Sequence, residues 1–340
     1  MIQQLFIETE APKPGQLALY RISRRAMATE FDIAIPYGTP HAVEAGEAAL
    51  DEIDRIEELL TVYSDTSDIS RLNRDGGGAV TAELMTLLQH CAALTLDTAG
   101  AFDVAIGTVV KCWGFHRRRG RVPTEGELGT AMHTGGMRHV LLDERTQRLK
   151  FLRAVELNFG AIGKGYALDC AAAILRDRWG IRSALLHGGG SSVRAIGVPP
   201  TDGRGWRVRV GHPSSANHHL GAVYLRDEGF GTSAATYQHF EHAGKTYGHV
   251  LDPRTGRPAA VAESASCTAA TAMSADALST AFFVAGEAWT AAYCRTHPDV
   301  GAVLLPVGCD IAAKPAVFNL HALKYDNAGT SPPTFHLHDD

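Results

Sequence analysis

The sequence predicts an α+β protein, a mixed, largely antiparallel sheet with helices packed on it. Three observations lead to this class. Residues 17–37 and 236–252 alternate polar and apolar positions with the two-residue period of strands, the second run folding about Ala243 and Gly244. Residues 41–60, and a second stretch beginning near Thr81, repeat their apolar residues at the spacing that lines one face of a helix. Between these regions, residues 151–180 read as a strand, a glycine turn and a helix closed by Gly180.

Composition sets the outer limits. A chain of 340 residues, 45% hydrophobic and 20% charged, is ordinary globular material. No spacer-like linker divides it, so one domain is expected over residues 18–326, between a loose lead-in (1–17) and a polar, mobile tail (327–340). The net charge is −5 and basic residues are scattered, apart from an HRRR run at 116–119 that reads as a solvated loop, so no nucleic-acid partner is expected. No apolar stretch is long enough to span a bilayer, and the start, MIQQLFIETEAPKPG, lacks the basic and apolar regions of an export signal. A cytoplasmic protein without membrane insertion is expected. Cys91, Cys112, Cys170, Cys267, Cys294 and Cys309 are dispersed without CxxC spacing and read as reduced core residues.

In chain order, the first two strands flank Met27-Ala28-Thr29. The helix over 41–60 buries Val43, Leu50, Ile53, Ile56 and Leu60, with acidic residues on its other side. TVYSDTSDISRLNRDGGG is expected to run as a loop, its Ser, Asp and Asn side chains bonding the local backbone. The helix from Thr81 buries Leu84, Leu87, Leu88, Cys91 and Leu94. In TAGAFDVAIGTVVKCWGF, Phe102 and Asp103 follow a helix-ending glycine, and an acid among apolar runs must find partners if it is buried.

The middle of the chain carries the densest signal. FLRAVELNF reads as a strand, GAIGKG as a turn and YALDCAAAILRDRWG as a helix, an order that can build an anion site from backbone N–H groups and the helix dipole, with Lys164 at hand. Two phosphate motifs fail here. A Walker A loop needs four residues between its first glycine and Gly-Lys, followed by Ser or Thr; this turn has two residues and then Gly165. A dinucleotide fingerprint needs an acidic residue ending the next strand, and residues 183–186 instead run into His187-Gly188-Gly189-Gly190.

SSVRAIGVPP, GWRVRVGHP and residues 220–225 are strand-like. The hairpin about Ala243-Gly244 then delivers His249 to the end of its second strand, ahead of Asp252-Pro253-Arg254-Thr255-Gly256. Arg254 and Thr255 offer donors suited to an anion, although alone this composition is that of a well-made turn. Finally, SASCTAATAMSADALSTAFFVAG reads as a small-residue strand and a helix from about Ser274 to Gly286. Asp276 and Thr280, one turn apart, share a face near its positive end. They are hard oxygen ligands suited to Mg²⁺, or else a dipole-friendly acid and a core hydroxyl.

Taken in order, MATEF, YSDTSDISRLN, TAGAFDVAIGTVVKCWGF, FGAIGKGYALD, TSAATYQHF with GKTYGHVLDPRTGRP, and SADALSTAFFVAG resemble the FAD:protein FMN transferase (ApbE) family over residues 27–286. The resemblance implies an ApbE-like fold and a reaction that moves the FMN half of FAD onto a Thr or Ser hydroxyl of an acceptor protein. AMP is released with the help of Mg²⁺. It implies Mg²⁺ ligands at Asp276, Thr280 and a carbonyl of the 160–163 turn, that of Ala161, with Asp276 also accepting the acceptor's proton. His249 would stand beside the pyrophosphate and assist proton transfer, with Thr255 close by. Lys164, Tyr166 and Asp169 would hold FAD, and Met27, Tyr63 and Asp103 would line the flavin and adenine pockets.

The chain departs from the family pattern at Ser191 and Ser192, where many members have Gly and Asp or Asn, and at Ala234, where the family often has Gly. Other readings are FAD hydrolysis to FMN and AMP, a non-catalytic flavin-binding protein, and a zinc site from His239, His242 and His249. The zinc reading lacks helical i, i+4 spacing for the first two histidines.

Overall fold

Met27 and Ala28 both adopt positive φ (49° and 61°), the pairing that a two-residue type I′ hairpin requires. They join β1 (Leu19–Ala26) to β2 (Thr29–Pro36) in one unbroken antiparallel ladder. A computed structural model describes residues 17–117, 119–234, 239–309, 313–320 and 325–326. The expected lead-in before Leu17 and the tail from Asn327 lie outside them, as do Arg118 of the HRRR run and 235–238 of the TSAATYQHF motif.

The helical stripes pack as their spacing predicts, except that Val43 at the start of the first is only half-buried. α1 (Ala42–Leu60) buries Leu50, Ile53, Ile56 and Leu60. The segment expected to be a loop contains a helix, α2 (Asp68–Asp75). Ser67 Oγ accepts the Ser70 N–H at its start and Gly76, at φ 71°, closes it. After β3 (Gly77–Ala79), α3 (Ala82–Asp97) starts on a Thr81 cap and buries Leu84, Leu87, Leu88, Cys91 and Leu94. α4 (Gly107–Cys112), α5 (Glu125–Thr134), β4 (Val140–Asp143) and β5 (Arg148–Phe151) follow.

The strand expected over FLRAVELNF ends at Phe151. Beyond it Val155, Leu157 and Phe159 still alternate into the core. Their backbone is satisfied outside any ladder, because the Asn73 side chain of α2 accepts the Leu157 N–H (2.7 Å) and donates to the Leu157 carbonyl (3.0 Å), and Gly107 N–H donates to Glu156 (2.8 Å).

α6 (Gly163–Ala173) runs through a π-helical turn to Gly180, and leads to β6 (Ala184–Gly188), β7 (Ser192–Ile196), β8 (Trp206–His212), β9 (Ser215–Leu225) and β10 (Gly229–Ala234). The hairpin β11 (His239–His242) and β12 (Lys245–Gly248) turns on Ala243-Gly244, both at positive φ, as the sequence predicts. Then come β13 (Leu251–Asp252), β14 (Arg257–Pro258), β15 (Ala262–Ala269), α7 (Ala272–Ala285), α8 (Glu287–Thr296), β16 (Gly301–Pro306), β17 (Ala316–Phe318) and β18 (Tyr325–Asp326).

The main sheet has eight strands in the order β1-β2-β6-β7-β10-β15-β16-β17, and every ladder among the described residues is antiparallel. One face, with Phe31, Ile33 and Ile35, packs on α1, α6 and α7. The other, with Ala34, Leu185 and Val193, is covered by Trp206, Val208 and Val223 of the three-stranded sheet β18-β9-β8. The fold is therefore α+β. Among the described residues no helix is long and apolar enough to cross a membrane.

Small residues let α7 approach its neighbours backbone to backbone. A Cβ on Gly165 of α6 would lie 2.2 Å from the Ala272 carbonyl oxygen, and one on Gly231 of β10 would lie 2.6 Å from Ala275. Alanine at 165 gains about 1 kcal/mol of helix propensity but meets a backbone carbonyl that cannot turn aside, and overpacking of this kind costs about 1–3 kcal/mol or more. Gly165→Ala is expected to lower stability by about 2 kcal/mol, read as an earlier urea midpoint. An unchanged midpoint would show that the two helices can move apart freely.

Candidate active site

A cavity of about 380 Å³ opens where the turn before α6, β10, the chain after β12 and α7 meet. It gathers seven of the residues singled out in the sequence: Tyr63, Asp103, Ala161, Lys164, His249, Asp276 and Thr280.

Asp276 sits in the second turn of α7 and is buried. Its Oδ2 accepts the Gly165 N–H (2.8 Å) and the Ser192 hydroxyl (2.9 Å). Gly165 is the third residue of α6, so its N–H is one of the first-turn donors that find no carbonyl within the helix. Asp276 satisfies it, and the Ala161 carbonyl, which precedes the helix, has no N–H donor among the described residues. Asp276 Oδ1 has no donor among them either. Burial pushes the Asp276 carboxyl up to about 6, against the opposing pull of the Lys164 charge and the Ser192 and Gly165 hydrogen bonds.

Thr280 Oγ1, one turn on, bonds the Asp276 carbonyl (3.2 Å) and meets Ser233 Oγ (3.0 Å), which also meets Ser279 Oγ (3.0 Å). A carboxylate oxygen, a hydroxyl and a carbonyl without an N–H donor among the described residues, all lining one cavity, are a hard oxygen set that fits Mg²⁺. The other acidic cluster among the described residues, Glu52 and Glu83 with Cys170, already holds a cation, because Arg55 bonds both carboxylates at 2.7 Å.

The anion site expected from the N–H groups of the glycine turn is only partly open: four of them are taken, and those of Ala161 and Lys164 have no acceptor among the described residues. Gly160 N–H donates to Asn158 Oδ1 (2.9 Å), Ile162 and Gly163 N–H to the Phe159 carbonyl (3.0 and 2.7 Å), and Gly165 N–H to Asp276. The Lys164 side chain adds positive charge to the cavity. The Asp252–Gly256 turn likewise closes on itself. Asp252 accepts the Arg254 N–H and guanidinium (2.9–3.0 Å), and Thr255 Oγ1 accepts the Arg257 N–H (3.3 Å), so neither expected anion donor lines the cavity. The turn serves as an anchor: Trp113 Nε1–H donates to the Gly256 carbonyl (2.7 Å), and Phe240 stacks on Tyr247 across the hairpin. His249 leaves this hairpin directly into the cavity wall.

Asp103 finds the partners a buried acid needs, the N–H groups of Ala105 and Met137, while burial raises its carboxyl above the usual range. Tyr63 is 72% exposed and stacks on His116 at 4.9 Å. Four expected site residues do not line the cavity. Met27 forms the β1–β2 turn and packs on the core. Tyr166 donates to Glu83 (3.0 Å), Asp169 accepts N–H groups of α7, and Thr255 lies in its own turn. Ser192, Ser233, Ser279 and Asn158 were not foreseen as site residues. Ser192 was visible only as a departure from a motif. The other two departures, Ser191 and Ala234, line the cavity.

Ser192→Ala removes a donor to a buried carboxylate, so the Asp276 carboxyl rises further and its ionised form needs higher pH. The acid limb of the pH–rate profile is expected to move up by about one unit. A limb that stays in place would show that Ser192 does not hold the charge.

The sequence profile of the ApbE family matches residues 27–304. The FAD:protein FMN transferase of Vibrio cholerae serotype O1 is 28% identical over 302 residues, covering 84% of this chain and 86% of that protein. That of Treponema pallidum is 31% identical over 280 residues, covering 76% and 77%. Among solved structures, the ApbE protein of Thermotoga maritima superposes with a TM-score of 0.79 at 28% identity, over 88% of this chain and 96% of that one.

Proposed function

The chain belongs to the ApbE family, and from that premise we propose that it is a Mg²⁺-dependent FAD:protein FMN transferase that moves FMN from FAD to a Thr or Ser hydroxyl of an acceptor protein and releases AMP. The observation that carries this reading is the Asp276 carboxylate, with one oxygen held by Gly165 and Ser192 and the other without a donor among the described residues, in one cavity with Ala161, Lys164 and His249.

Asp276, Thr280 and the Ala161 carbonyl would hold Mg²⁺, which when bound neutralises pyrophosphate charge. Lys164 adds a fixed positive charge toward the same phosphates. The acceptor oxygen forms a bond to the FMN phosphorus as the bridging P–O bond breaks, its electron pair leaving with AMP. The hydroxyl proton passes to the Asp276 carboxylate, and His249 assists the transfer at the pyrophosphate. Tyr63 and Asp103 line the flavin and adenine ends.

The test follows FAD, FMN and AMP by chromatography with and without candidate acceptor proteins. AMP formation that depends on an acceptor, without free FMN, supports transfer. Equal release of FMN and AMP in both reactions would make the enzyme a pyrophosphatase, and FAD bound but never cleaved would make it a flavin-binding protein.

A further inference from the structure

The two helices that carry the site are locked by an exchange of carboxylates. Asp276 of α7 accepts the N–H of Gly165 in the first turn of α6 (2.8 Å). In return Asp169 of α6 accepts the N–H groups of Ala272 (3.0 Å, Oδ1) and Met273 (2.8 Å, Oδ2) in the first turn of α7. Thr271 Oγ1 takes the Ser274 N–H (3.1 Å) and the Thr271 carbonyl takes that of Ala275 (3.1 Å), so the first-turn donors of α7 are all satisfied, two of them by Asp169. Arg194 of β7 stands 3.2 Å from Asp169 Oδ1 and also donates to the Ala270 carbonyl (2.7 Å) just before the helix.

The spacing gives this clamp its consequence. Gly165 and Asp169 are four apart on α6, and Ala272 and Asp276 are four apart on α7, so each pair shares one face. The contact surface that Asp169 fixes is therefore the one from which Asp276 reaches Gly165, with Thr280 one turn further. Asp169 does not line the cavity.

We propose that Asp169 is a positioning residue: through the first turn of α7 it sets where Asp276 and Thr280 stand relative to the Ala161 carbonyl, and it makes no contact with FAD. The assignment rests on the proposed reading for its metal and turnover measurements, and on the geometry alone for the exchange measurement.

The test compares the whole wild-type protein with Asp169→Asn, which can accept from one N–H and turns an NH₂ toward the other. Four quantities are read: FAD affinity by flavin fluorescence, Mn²⁺ affinity in the presence of FAD by electron paramagnetic resonance, hydrogen exchange of the segment 271–276, and AMP release from FAD. FAD affinity is expected to stay within about twofold, while Mn²⁺ affinity weakens about tenfold, AMP release slows about 10- to 100-fold and the first-turn amides exchange faster, as when the groups orienting metal ligands are removed.

A tenfold loss of FAD affinity with unchanged Mn²⁺ binding would overturn the proposal and make Asp169 an FAD-binding residue, and four wild-type values would remove any role. If the asparagine variant does not fold, Asp169→Glu, which keeps the charge but displaces it, is read against the same expectations. A wild-type protein that releases no AMP with any acceptor would sink the transferase reading, and the exchange measurement would still decide the role of Asp169.

Discussion

Asp276→Asn is expected to abolish FMN transfer, by about a thousandfold or more, while the protein folds and, in metal-free buffer at neutral pH, becomes more stable. The loss of activity follows from replacing an anionic metal ligand and proton acceptor by a neutral amide. The gain in stability follows from burial. The Asp276 carboxyl lies at about 6 in the folded chain against an ordinary 3.8, so between these values the folded state holds a proton that the unfolded chain has released. Stability therefore falls as pH rises from about 4 to about 6, and above that the whole penalty is present. At about 1.4 kcal/mol per unit the penalty is on the order of 2–3 kcal/mol. Asparagine keeps an oxygen for the Gly165 and Ser192 donors without the charge. Urea unfolding in chelator should show the variant ahead of wild type at pH 7 and level with it near pH 4. A variant less stable than wild type at pH 7 would mean that the hydrogen bonds to the charged form outweigh its desolvation.

His249→Ala is expected to slow AMP release by about 10²- to 10⁴-fold, the usual worth of a positioned proton-transfer group. FAD affinity should change by no more than a few fold. The fold should survive, because Phe240, Tyr247 and the Trp113 bond to Gly256 anchor the hairpin in the variant as in the wild type. A fall of less than about fivefold would reduce His249 to a lining residue.

Much of this was legible in the residues. The buried stripes of α1 and α3 and the Ala243-Gly244 hairpin follow from period and turn chemistry alone. Asp276 and Thr280 could be paired because helical geometry fixes neighbours four apart. α2 was missed because DISRLNRD offers only Ile69 and Leu72 to a core, and its polar remainder has the composition of a loop. The alternation of Val155, Leu157 and Phe159 reported burial correctly and pairing wrongly, since the Asn73 side chain stands in for a strand. Within the motif that holds Lys164, Tyr166 and Asp169, sequence treats all three as one group. A helix turns about 100° per residue, so Lys164 reaches the cavity, Tyr166 reaches Glu83 and Asp169 reaches the start of α7. The Gly165–Asp276 bond joins residues 111 apart, and no local pattern announces it.

The account's central claim, transfer of FMN to a protein hydroxyl, is tested most directly by intact-mass analysis of an acceptor protein co-expressed with this chain. The predicted result is an acceptor heavier by one FMN, linked through a Thr or Ser phosphoester, with no such species when Asp276→Ala replaces the wild type. An acceptor of unchanged mass beside free FMN and AMP, or an acceptor modified equally by the Asp276→Ala variant, would contradict it.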